Sequence, residues 1–428
     1  MESIIKNRCK IHISDNSIVY LCLMLAVIAE NECFRLFQID TIMLRFANLL
    51  MIYISFFIVI FRSRKKHMKL SDFNFLYCYL AVIAVFLVVQ YIYTTQLYRA
   101  QSLFEFLKMA QGYSYVVMVI PLFYLFQSGT GLDKIMDSFK ILVFITLTVM
   151  IIAAFFYNTR GINIFPIDFY MKYMRRNNRL RILDLSSMEG LIIIWTFYEL
   201  LCKKKKKCLN AVILIVSFGA LLYVEQARVM QISVILSLGV MYLLKSNRRR
   251  NAILMKIICI CVIAGYIIFS GRVGDVINSF NVNGDYGSST KIRLDEIKHA
   301  IQLISKYYIN GVGLAAIHIG NYYSSYIGRG NFGMTDIGLL GLITQIGLWT
   351  IPVYIYPMFR FFNILLKIKN RDDKNYFLLL CGLFLYLLMT SITIIIINQQ
   401  RIYVWPMIIC IFEYSYAAYK SGGGQSGE

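Results

Sequence analysis

Residues 42–93 read IMLRFANLLMIYISFFIVIFRSRKKHMKLSDFNFLYCYLAVIAVFLVVQYIY. Two apolar runs, 42–61 and 73–93, flank the basic connection RSRKKHMK at 62–69. Each run has about 20 residues, the length an α-helix needs to cross the hydrocarbon core of a bilayer. The runs are continuous and do not alternate every second residue, so they read as helices and not as strands of a membrane barrel. A basic connection between two spans marks the cytoplasmic side.

The rest of the chain repeats this pattern. It is 58% hydrophobic, only 16% charged, and has a mean hydropathy of +0.62. That composition excludes an ordinary soluble enzyme. Apolar spans read near 17–36, 42–61, 73–93, 104–127, 139–157, 187–202, 209–224, 229–244, 253–270, 337–362, 376–397 and 402–419. The expectation is an all-α polytopic membrane protein of about twelve transmembrane helices, forming one domain over residues 1–420. No small-residue cleavage site follows the basic residues 1–12, so the first span is expected to be retained. The ending SGGGQSGE, 421–428, reads as a tag remnant.

Further basic connections are KKKKK at 203–207, KSNRRRN at 245–251 and KIKNRDDK at 367–374. With the N-terminal KNRCK inside, all of them fall inside, and so does the C-terminus. Two long external loops remain, 158–186 and 271–336. Within the second, KIRLDEIKHAIQLISKYYI sets Ile297, Ile301, Ile304 and Tyr308 at helical spacing. This predicts an amphipathic helix on the bundle or the membrane surface, capped by Ser289 or Thr290 and stopped by NGVG at 310–313. The cysteines lie in apolar runs or basic stretches with no metal-ligand spacing, so no metal site is expected from them.

The formal charge is +21, from 44 basic and 23 acidic residues. In so apolar a chain it points to orientation signals and anionic lipid-like ligands, not to nucleic acid. The basic residues of the external loops and span edges are mostly arginine. Arg160, Arg175, Arg176, Arg179 and Arg181 lie in the first long loop, and Arg228 in the tight turn VEQARVMQ. Arg272, Arg293 and Arg329 lie in the second loop, and Arg401 opens the last span. Arginine on this side opposes the orientation signal, and near the bilayer core it costs about 2.5–3.5 kcal/mol. A planar guanidinium that grips phosphate oxygens in pairs is a functional reason to keep it there. Packing against Glu189, Glu225 and Asp336 is the structural alternative.

The stretch IHIGNYYSSYIGRGNFGMTDIG, 317–338, concentrates the remaining polar chemistry. His318 is a candidate base for a hydroxyl nucleophile, or a solvated loop residue. Asp336 is a competing base, or the N-cap of a helix starting at Ile337. Tyr322 and Tyr323 suit either an interfacial belt or a sugar face. Glu30-Asn31-Glu32 is a further acidic pair on this side.

The runs YYINGVGLAAIHIG and MTDIGLLGLITQIGLW resemble the C-terminal half of Wzy-type O-antigen and capsular polysaccharide polymerases and the related O-antigen ligases. The shared pattern is a G-x-G turn (Gly311–Gly313) in a large external loop, then polar residues His318 to Arg329, then a helix opening with Gly338–Gly341. Arg228 at the start of a span and Arg181 in RLRILDLSSMEGLI match two further points. The resemblance implies a GT-C-like membrane glycosyltransferase acting on the outer face of the bacterial plasma membrane. Its donor and acceptor would be oligosaccharides on undecaprenyl pyrophosphate, embedded in membrane lipid. A chain-length regulator protein is a candidate partner. It implies His318 or Asp336 as the catalytic group, with Arg181, Arg228, Arg293, Arg329, Arg401, Tyr322 and Tyr323 holding pyrophosphate and sugar. No cofactor or metal is expected, because pyrophosphate is a good leaving group whose charge fixed arginines can hold. A ligase, a lipid-linked oligosaccharide flippase and a membrane acyltransferase are the competing readings.

Overall fold

The computed structural model describes residues 15–30, 41–63, 73–99, 101–128, 130–162, 164, 175–176, 179–180, 182, 188–203, 206–225, 227–245, 287–316, 327, 334–369, 374–394 and 402–422. The described helices are α1 (Asp15–Glu30), α2 (Thr41–Ser63), α3 (Asn74–Leu97), α4 (Leu103–Gln127) and α5 (Leu132–Arg160). A short antiparallel hairpin follows, β1 (Arg175–Arg176) with β2 (Arg179–Leu180). Then come α6 (Glu189–Cys202), α7 (Lys207–Glu225), α8 (Arg228–Leu244) and α9 (Gly287–Lys306). The last are α10 (Gly338–Trp349), α11 (Ile351–Lys369), α12 (Lys374–Ser391) and α13 (Val404–Gly422).

Six of these, α2, α3, α4, α5, α7 and α11, are long and apolar enough to cross a bilayer. The outer face of the bundle agrees. On α2, Leu50, Ile54, Phe57 and Phe61 form one exposed stripe, and Val85, Val88 and Ile92 do the same on α3. Such stripes are unfavourable in water and ordinary against lipid tails. The protein is an all-α membrane protein. α4 is its centre, with 83% of its most apolar window buried. Tyr115, Val116 and Val119–Phe126 are buried on all sides of it, as expected of a helix without a polar face.

The basic connections border one end of the bundle. Lys203 Nζ lies 2.6 Å from Asp133 and Lys206 Nζ 3.0 Å from Asp137, joining the α6–α7 connection to the start of α5. Lys140 is buried there among Glu199, Asp137 Oδ1 at 2.7 Å and Asn210 Oδ1 at 3.2 Å. Lys245 at the end of α8 reaches Cys202 at the end of α6. Tyr124 near the end of α4 donates to Asn16 at the start of α1. Lys367 of α11 donates to the Tyr416 hydroxyl of α13. This is called the basic end below, and the opposite one the loop end.

Several expectations change. The span expected over 337–362 is two helices. The α-helical part of α10 stops at Ile346, Gly347 turns with φ +59°, and α11 opens with a π-helical turn, Ile351–Ile355, that includes Pro352. Proline lacks the N–H a continuous helix needs, and the break lets Leu348 N–H donate to the carbonyls of Tyr308 and Ile309. α9 is present and begins at Gly287, so Ser289 and Thr290 lie inside its first turn and not ahead of it. Its packed face is Glu296, Ala300 and Leu303, set against Tyr98, Val312, Ala315 and Ile337. Of the apolar stripe read from the sequence, Ile301 and Tyr308 are exposed, while Ile297 touches the cluster from its edge. The expected span 253–270 lies outside the described residues.

Candidate functional site

At the loop end the chain from Asn310 to Leu314 turns and passes between α3 and α10. Its carbonyls have no helical partner, and α3 supplies donors for them. Gln90 Nε2 donates to Asn310 O at 3.0 Å, the Tyr93 hydroxyl to Gly311 O at 3.0 Å, and the Tyr98 hydroxyl to Val312 O at 2.9 Å. Gln101 Nε2 donates to Leu314 O at 2.9 Å. On the other side the N–H groups of Val312 and Gly313 donate to Thr344 O and Gln345 O of α10. Four of the five carbonyls of the segment are thus accounted for. Gly311 and Gly313 hold φ of +65° and +83°, and a Cβ on either would overlap Gln345 backbone or the Thr94 side chain. Gly338 and Gly341 allow an equally close approach of α10 to Ser391 and Met334. The glycine pattern at 311–341 builds a rigid base from which the chain enters 317–333.

His299, which the sequence reading passed over, adds a second tie. It sits on α9 and its ring nitrogen is hydrogen-bonded to the carbonyl of Ile327. Ile327 is buried against the α9–α10 cluster.

Besides Glu296 of α9, three carboxylates are buried at this end among the described residues. Glu30 closes α1 and is 2% exposed. It accepts from Arg45 Nε at 3.2 Å and Asn48 Nδ2 at 2.9 Å, with the Tyr115 hydroxyl at 3.5 Å. Next to it, Tyr403 of the last span donates to Ala26 O and its ring meets that of Tyr115 at 5.5 Å. Glu30 is therefore an ion-paired strut between α1, α2 and α4. Glu32 lies outside the described residues, and among the described residues no group of three or more His, Cys, Asp or Glu is placed to hold a metal ion.

Glu189 and Glu225 are the other two. Glu189 is in the first turn of α6, where the helix N-terminus favours a negative charge. Glu225 ends the π-helical turn Ala220–Glu225 of α7 and is 3% exposed. Gln231 of α8 folds back to donate to Leu221 O in that turn. The hairpin docks beside it. Leu180 N–H donates to Asn158 Oδ1 of α5 at 2.8 Å, and Ile182 N–H to Val224 O at 3.3 Å. The residues on either side of Arg181 in the chain are thus fixed to the loop ends of α5 and α7. Arg228 is the first residue of α8, three positions beyond Glu225.

The remaining candidates separate. Arg293 is exposed on α9, away from the α6–α8 group. Asp336 is exposed in the 3-10 turn Met334–Ile337 that leads into α10. The N-cap of the α-helix is Ile337, without a side-chain cap, so the capping role read for Asp336 is not the one observed. Arg181, His318, Tyr322, Tyr323, Arg329 and Arg401 lie outside the described residues.

The chain matches no protein-family model and no curated protein.

Proposed function

We propose that the protein is a GT-C-like membrane glycosyltransferase of the polysaccharide polymerase type. In this reading about twelve spans cross the bacterial plasma membrane, with both termini and the basic end in the cytoplasm and the loop end outside. The observation that carries it is the docking of Leu180 and Ile182 onto the ends of α5 and α7, beside Glu225 and the start of α8. It ties the chain on both sides of Arg181 to the turn that leads into Arg228. The buried Glu225 carboxylate needs a cation nearby, and the sequence carries five arginines at 175, 176, 179, 181 and 228. Positive charge at a membrane edge suits a lipid pyrophosphate.

In the reaction, the hydroxyl of the acceptor's terminal sugar attacks the anomeric carbon of the donor glycan. The bond from that carbon to the pyrophosphate oxygen breaks, and polyprenyl pyrophosphate leaves with the electron pair. His318 or Asp336 takes the hydroxyl proton. Arg181, Arg228, Arg329 and Arg401 hold the charge that grows on the leaving group, and Tyr322 and Tyr323 line the sugar path. The 310–314 segment, tied to α3 and its C-terminal extension, is the fixed base from which the chain continues toward His318.

The test is chain growth in membranes carrying Arg228→Ala or Arg181→Ala protein at wild-type level. Loss of polymer by about a hundredfold or more is expected, the usual effect of removing one preorganised donor. Normal polymer from Arg228→Ala would remove Arg228 from the site.

A further inference from the structure

At the basic end, far from the site above, α3, α11 and α13 enclose a cavity of about 370 Å3. Its floor runs along α3 from Asn74 to Val82, about 12 Å of helix. Pro352, in the π-helical turn that opens α11, lines the deep part with Val82. The upper part is cationic. Arg360 grips Glu413 through two nitrogens, with Nη2 to Oε2 at 2.7 Å, and lies 4.1 Å over the Phe75 ring. Tyr416 stands beside this pair with three cations around its ring. Lys420 Nζ is 4.7 Å from the centroid, Lys367 Nζ 5.2 Å and Arg360 Cζ 5.7 Å. A second hollow of about 150 Å3, sharing Tyr356, Arg360 and Tyr416, extends the cavity to Lys367.

The charges do not balance. Arg360, Lys367 and Lys420 face one carboxylate, Glu413, which Arg360 already occupies. Among the described residues neither lysine has an ion-pair partner. Two positive charges drawn to one ring repel unless an anion joins them. The walls are lipid-facing: Tyr356 and Phe359 are exposed, as is Cys78. A basic rim over an apolar cleft that opens sideways to lipid fits one class of ligand.

We infer that this cavity is a binding site for an anionic phospholipid, its phosphate held between Lys367 and Lys420 and an acyl chain laid along Val82 and Pro352. The reading depends on the bundle being in a membrane and not on the glycosyltransferase assignment.

The test uses the full-length protein in vesicles of phosphatidylcholine alone or mixed with phosphatidylglycerol, with bound lipid counted by native mass spectrometry. Wild type retains phosphatidylglycerol in preference to phosphatidylcholine. Lys367→Gln or Lys420→Gln lowers that retention about fivefold, and the double variant about thirtyfold. Val82→Trp, which fills the cleft and keeps the charges, also lowers it. Equal retention in the double variant, or phosphatidylcholine held as firmly as phosphatidylglycerol, overturns the proposal. Displacement of the lipid by inorganic phosphate with Val82→Trp unaffected assigns the site to free phosphate and overturns the lipid.

Discussion

Glu30 and Arg45 show how this bundle treats a charge. The carboxylate is buried at the end of α1, and its partners come from α2 and α4. Removing Arg45 leaves the carboxylate with only Asn48 and a distant hydroxyl. Arg45→Met is expected to lower stability by about 3–5 kcal/mol, because an uncompensated buried charge remains. Glu30→Gln added to it recovers most of that loss. Unfolding midpoints of the three proteins in detergent decide it; a wild-type midpoint for Arg45→Met alone would contradict the account. The sequence marked Glu30 as acidic and on the same side as the arginines. It did not show Arg45, fifteen residues on and past a connection, as the partner, because that pairing exists only once α1 and α2 pack. Gly311 and Gly313 were legible as a turn, whereas the reason for them, the approach of α10 backbone and Thr94, is tertiary.

Among the elements, α9 separates pattern from packing. Its apolar residues fall on two stripes. Ala300 and Leu303 pack on the bundle with Glu296, and Ile301 and Tyr308 do not. Helical spacing identified the helix but left open whether its larger apolar side chains face the bundle or the membrane surface. A small residue such as Ala300 carries no signal in that count, yet it lets α9 approach α10 closely. Leu303→Ala is therefore expected to cost about 2–5 kcal/mol locally, and Ile301→Ala about 0.5 kcal/mol or less. Hydrogen exchange at Val312 and Gly313, whose amides bond to α10, reads the difference. Faster exchange in Ile301→Ala than in Leu303→Ala would reverse the assignment of faces. The break between α10 and α11 was equally hidden, since Gly347 and Pro352 sit in a run apolar enough to pass for one span.

At the scale of the molecule, charge placement and structure agree on two distinct ends. The connections rich in lysine border one, and the arginine-bearing turns the other. The proposed orientation, with the basic end in the cytoplasm, rests on the positive-inside rule. With the other cysteines replaced, exposed Cys208 alone is expected to react with an impermeant maleimide only after the membrane is opened. A cysteine in place of exposed Tyr308 reacts in intact cells. The opposite pattern would invert the protein and move its proposed site to the cytoplasm. The positions of α2, α3, α4, α5 and α7 were legible because lipid demands long apolar runs. The candidate site was legible only as residue types, because the contacts that fix Leu180 to α5 and Ile182 to α7 are tertiary and no local pattern encodes them. The most direct test of the whole reading is to incubate the purified protein with a repeat unit on polyprenyl pyrophosphate, with and without chelator. The account predicts a ladder of longer lipid-linked glycans that persists in chelator. No ladder from authentic substrate would contradict it.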